Sequence, residues 1–102
     1  MTYRILVEAG SEIDIAQVWY ERQKPGLGDD FVAEIFEAVR RILQFPHSFA
    51  RMDYTARNRE IRFLNVDRFD YLIVYEVLPL EVVILGVPHS HSSRRPWRNR
   101  LT

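Results

Sequence analysis

Two apolar runs late in the chain, Tyr71-Leu72-Ile73-Val74-Tyr75-Glu76-Val77 and Glu81-Val82-Val83-Ile84-Leu85-Gly86-Val87, constrain the fold more than any other feature. They are rich in β-branched residues and nearly free of polar alternation, the pattern of central strands covered on both faces. Leu78-Pro79-Leu80 between them is short enough to make the pair a hairpin. A chain of 102 residues has room for one such sheet and one core, so residues 1–102 are expected to form one domain.

The rest of the chain supplies what covers that sheet. Tyr3-Arg4-Ile5-Leu6-Val7 reads as a first strand, ended by the turn residues Ala9-Gly10-Ser11. Ser11 with Asp14 three residues on has the form of a capping box and predicts a helix over residues 12–24. Ile13, Ala16 and Tyr20 make one apolar stripe on it, and Ile15 and Trp19 make a second, so this helix is expected to meet neighbours on two sides. Pro25-Gly26-Leu27-Gly28 then reverses the chain, because proline stops the helix and glycine permits the turn. It lacks the Gly-Lys-Ser/Thr ending of a phosphate loop, and Asp29-Asp30 would repel phosphate while suiting a helix start.

A second helix runs from Asp29 or Asp30 to Gln44 and closes at Phe45-Pro46. Phe31, Ile35, Ala38 and Ile42 line one row, and Val32, Phe36, Val39 and Leu43 a parallel one, giving a face wide enough for both a sheet and a helix. Glu37 and Arg41 stand in order for a surface ion pair. Residues 46–58 read as a loop, and residues 59–64 as another strand before the central hairpin. The order is β-α-α-β-β-β: an α+β fold with a helical hairpin on a mostly antiparallel four-stranded sheet, the pairing of strand one remaining open.

Composition excludes several classes. Hydrophobic residues at 47% and charged residues at 27% suit a globular domain rather than a disordered or fibrous chain. No cysteine is present, which removes disulfides, thiolate zinc sites and thiol catalysis. No 18-residue apolar span and no signal-peptide pattern occur, so a soluble, cytoplasmic protein without a membrane partner is expected. Fourteen basic side chains balance fourteen acidic ones, and all the basic ones except Lys24 are arginine. The balance conceals a split: residues 1–50 hold five basic against eight acidic, net −3, and residues 51–102 nine against six, net +3.

Candidate chemistry gathers in the basic half. The tail from His89 to Arg100 holds four arginines, two histidines and no acid. Its arginines could hold phosphate and Trp97 could stack a base, or Trp97 could close an open end of the core. His89 and His91 could move protons beside an arginine cluster, but with no third ligand or HExxH pattern they imply no metal, and no cofactor motif is present. Arg62, set inside an apolar strand, needs a partner: Asp67, Asp70 or Glu76 in a structural role, or a phosphate in a functional one. Tyr71 and Tyr75 share a face and read as core or interface residues.

Several of these pieces occur together in one known family. Trp19-Tyr20-Glu21, Gln23, Pro25-Gly26-Leu27-Gly28 and Phe31 resemble the helical hairpin of ParE/RelE-type toxins of bacterial type II toxin–antitoxin modules. Pro46, Ile61-Arg62, Arg68-Phe69-x-Tyr71, Val74-Tyr75-Glu76-Val77, His89 and the Arg-Arg-Pro-Trp-x-x-Arg ending at residues 94–100 continue the resemblance in order. It implies the same β-α-α-β-β-β fold and one of two activities. The Trp-Tyr-Glu and Pro-Gly-Leu-Gly text is closer to the ParE side, the plasmid-stabilisation toxins. This implies a toxin that inhibits DNA gyrase by protein contact, is not an enzyme, and is held by a cognate antitoxin in a hetero-oligomer.

Trp19, Tyr20, Phe36, Trp97, Arg98 and Arg100 are then the partner-binding candidates. The alternative is a RelE-like endoribonuclease acting on mRNA in the ribosome, with Arg62, Arg94 and Arg95 on phosphate and His89 or His91 on the proton. The lysines such nucleases draw on are missing here, since Lys24 lies in the hairpin. Asp70 stands where the family usually has proline, and Ser92-Ser93 where it is often Arg-rich. A non-toxic binding relative is the second alternative.

Overall fold

The computed structural model describes residues 1–52, 58–92 and 95–101. Strand β1 (Thr2–Ile5) leads into helix α1 (Val7–Gln23), which reverses into α2 (Leu27–Gln44). β2 (Ala50–Arg51), β3 (Ile61–Asn65), β4 (Leu72–Val77) and β5 (Glu81–Gly86) follow, and a 3-10 segment (Pro96–Arg100) closes the described chain. The sheet has five strands in the order β1-β5-β4-β3-β2, one more than expected because a two-residue strand forms inside the 46–58 loop. β1 pairs with β5 in parallel; every other pairing is antiparallel.

α1 begins at Val7, earlier than its capping-box signal, and residues 9–11 are helical rather than a turn. The Ser11/Asp14 pair therefore lies inside the helix and caps nothing. Tertiary packing overrides the local turn chemistry: Ala9 is fully buried, and the Gly10 N–H donates to the Leu6 carbonyl at 2.9 Å, closing the first helical turn.

The turn between the helices is built as its residues suggest, with a lock the sequence did not advertise. Gly26 adopts φ +90°, and a Cβ on Gly28 would lie 2.7 Å from the Gln17 carbonyl oxygen, so α2 crosses α1 where only glycine fits. The Glu21 carboxylate accepts from the Gly26 N–H at 2.9 Å and from the Gly28 N–H at 3.0 Å. It thereby satisfies N–H groups at the start of α2 that have no partner within the helix.

Alternation divides the sheet's side chains. Ile73, Tyr75, Val77, Val82 and Ile84 join the helix layer through Ala9, Ile13, Phe31, Ile35 and Ile42. Ile61, Val74, Val83 and Leu85 face the other way and are covered by Trp97. The β4–β5 register slips by one residue between Tyr75↔Ile84 and Val74↔Gly86, a bulge that returns Val87 to the helix side. On the surface of α2, Glu37 pairs with Arg40 rather than Arg41, which instead reaches Asp67 at 3.5 Å. No helix among the described residues is long and apolar enough to cross a membrane.

Candidate functional site

Only one of the two stripes on α1 is covered. Ala9, Ile13 and Ala16 are buried against the sheet and α2, whereas Ile15 is 71% exposed, Trp19 56% and Val18 50%. The neighbours expected on the second side are absent among the described residues, leaving an apolar helix face in solvent. Beside it opens a recess of about 420 Å³ between α1 and the β4–β5 end of the sheet, lined by Ile15, Trp19, Tyr20, Asp70, Tyr71 and His89. Ala16 also lines it.

An aromatic cluster holds this recess in shape. Tyr20 packs edge-on against Trp19 (5.1 Å between ring centroids) and Phe69 (4.8 Å), and meets Phe31 at 5.1 Å. Tyr71 lies 5.3 Å from both Phe31 and His89, and His89 is 5.3 Å from His91. Burial raises the Tyr20 phenol above its ordinary pKa, with the nearby Tyr71 and Asp70 adding to the effect, and burial raises Tyr71 as well. Both phenols therefore stay neutral near pH 7 and keep their O–H donors.

The tail is part of the fold. Trp97 is 1% exposed and packs in the second core, with Arg98 stacked 5.7 Å from its ring centroid. Arg100 forks onto Glu12 of α1, Nη1 to Oε1 at 3.0 Å and Nη2 to Oε2 at 3.2 Å, and Nη1 also donates to the Leu85 carbonyl at 2.8 Å. Glu12 Oε1 accepts from the Val87 N–H at 2.9 Å as well. Gly86 makes the junction possible, since a Cβ there would stand 3.1 Å from Trp97 Cβ. Of the partner-binding candidates, Trp19 and Tyr20 thus share one recess, Phe36 is 43% exposed on α2, Arg98 is exposed, and Trp97 and Arg100 are committed internally.

Among the nuclease candidates, His89 and His91 stand together but Arg62 is not brought to them. Arg62 donates to Glu60 at 2.6 Å and to the Phe49 carbonyl at 2.6 Å, rather than to Asp67, Asp70 or Glu76, and Glu60 also bonds His47 at 2.7 Å. Glu76 is taken by Arg59 instead. Arg62 sits opposite Tyr75 while His89 bridges Tyr71, the residue just before β4 and four residues from Tyr75, or ~13 Å at strand spacing. His89 Nδ1 accepts the His91 N–H at 3.2 Å, Arg95 is exposed at the start of the 3-10 segment, and Arg94 lies outside the described residues. Among the described residues no group of three or more His, Cys, Asp or Glu side chains is placed to hold a metal ion.

Sequence reasoning missed Glu12, Glu21 and Glu60, whose partners are fixed only by tertiary geometry. It also missed Val18 as an exposed apolar residue and Asp70 as part of a recess. The second stripe, Ile15 and Trp19, was the one available signal for this surface.

A two-helix hairpin on a mostly antiparallel sheet, with an apolar helix face left open, defines a small α+β domain of the toxin-hairpin architecture the sequence resembles. The family model described as ParE toxin of type II toxin-antitoxin system, parDE, matches residues 3–93, and the chain belongs to that family. A solved structure titled "Chromosomal ParDE TA system from P. aeruginosa" shares the fold with a TM-score of 0.73 and 20% sequence identity, covering 87% of this chain and 95% of that one. No curated protein matches.

Proposed function

We propose that this chain is a ParE-type toxin that inhibits DNA gyrase by protein–protein contact and is neutralised by a cognate antitoxin. The observation that carries the reading is the open α1 face. Ile15, Val18 and Trp19 present apolar surface over just more than one helical turn beside an aromatic recess, a form suited to an amphipathic helix or extended segment of a partner. Family membership supports a toxin as the bearer of that face. Trp19 and Tyr20 are the proposed contacts there, Phe36 a second patch, and Arg98 the tail's contact. Trp97 and Arg100 act by holding the tail in place. Catalysis of RNA cleavage is disfavoured because Arg62 is held by the Glu60 carboxylate and the Phe49 carbonyl and lies far from His89.

Induced expression should arrest growth with accumulating relaxed plasmid, and a small acidic reading frame next to this gene should relieve the arrest. Arrest with unchanged plasmid supercoiling would overturn the gyrase target, and normal growth would overturn the toxin itself.

A further inference from the structure

We infer that the recess beside α1 receives an arginine side chain carried by the antitoxin segment that covers the Ile15–Trp19 face. The inference rests on the antitoxin reading for the source of that side chain, and on the recess itself for its chemistry. Trp19, Tyr20, Tyr71 and His89 surround the space with π surfaces, which attract cations, tryptophan most strongly.

Asp70 supplies the countercharge. Other nearby carboxylates are placed elsewhere: Glu12 pairs with Arg100, Asp30 with Arg68, Asp67 with Arg41, Glu21 holds the start of α2, and Asp14 lies in the adjoining groove with Arg22 rather than in the recess. Asp70 lines the recess, is exposed, and has no ion pair among the described residues. Its charge already acts there, as one of the causes that hold up the Tyr20 pKa. A guanidinium fits this set better than an ammonium, since its plane can stack on Trp19 while its edge forks to a carboxylate. The chain's own Arg22 does not fill the role: it lines a neighbouring groove with Asp14, Val18 and Trp19, outside the recess.

The test uses the whole chain labelled with 15N, titrated with N-acetyl-arginine methylamide and, separately, with the neutral isostere N-acetyl-citrulline methylamide. The Trp19 indole N–H should shift saturably with the arginine compound, at least about fivefold more tightly than with citrulline, while the buried Trp97 indole stays still. Asp70→Asn should bring arginine down to the citrulline level with the Trp97 signal unchanged, showing an intact fold; Arg22→Ala should leave the preference as it is. Equal binding of the two compounds, or an unaltered preference in D70N, would overturn the proposal. Because the titration needs no antitoxin and no gyrase, arginine binding by a chain that arrests no growth keeps the pocket and discards the toxin reading, and the reverse result does the opposite.

Discussion

Replacing Arg100 by alanine tests whether the Arg-rich tail is a free arm or a built part of the domain. The substitution removes the two-pronged contact to Glu12 and the bond to the Leu85 carbonyl, leaving Glu12 with the Val87 N–H alone. Breaking a fully buried ion pair costs about 3–5 kcal/mol, and hydrogen bonds to charged groups contribute about 1.5–3 kcal/mol. With the two side chains 13% and 25% exposed, solvent screens part of the interaction and the lower range applies, roughly 2–3 kcal/mol. In a chain of 102 residues that corresponds to a fall in Tm of roughly 10–20 °C. Urea unfolding followed by circular dichroism gives the free energy, and tryptophan emission adds a local readout, since release of the tail would expose Trp97 and shift its emission to the red. A double-mutant cycle with Glu12→Gln should return a coupling above about 1 kcal/mol. A loss below about 0.5 kcal/mol, with the emission unmoved, would refute the claim that this contact anchors the tail.

The two helix glycines should respond in opposite directions. Gly28→Ala forces a methyl against the Gln17 carbonyl and should cost ~1–3 kcal/mol, whereas Gly10, inside α1 with nothing near its absent Cβ, should gain roughly 0.5–1 kcal/mol as alanine, both read by denaturant unfolding. Burial pushes the Tyr75 phenol up to about 12, with Arg62 opposing and Glu60 reinforcing the shift. The unfolded chain ionises this group first, so its contribution to stability is full below pH 10 and falls by roughly 2–3 kcal/mol as pH approaches 12; Tyr75→Phe should flatten the alkaline slope, leaving the smaller part due to the raised Tyr20 and Tyr71 phenols. Burial would raise the Glu60 carboxyl, but hydrogen bonds from Arg62 and His47 outweigh it and the net shift is downward. Its stabilisation is present above the ordinary value of 4.5 and is lost as pH falls through the folded-state value, so Glu60→Gln should weaken the protein at pH 7 and matter little in strong acid.

What could be read from the chain follows from how local each signal is. The central hairpin was legible because two unbroken apolar runs allow few other structures, and the helix reversal because Pro25 and Gly26 act on their own backbone. The start of α1 was misjudged because Gly10 and Ser11 signal a turn only until Ala9 is packed in the core. The parallel seat of β1 against β5 and the short β2 depend on partners far along the chain. At the candidate site, the spare stripe of Ile15 and Trp19 was visible as helical spacing, but that it stays uncovered is a fact of the fold. Charged residues were the least legible. Arg62, Glu12 and Glu60 each had several possible partners within the sequence, and only three-dimensional proximity selected among them.

We propose that this member of the ParE toxin family acts on gyrase through its surface and not on RNA through catalysis. The most direct measurement adds the purified chain to DNA gyrase with relaxed plasmid and ATP, and in parallel to translating ribosomes with a defined mRNA. Loss of supercoiling, diminished by Trp19→Ala, with the mRNA intact is the predicted result. Cleaved mRNA with supercoiling untouched would contradict it.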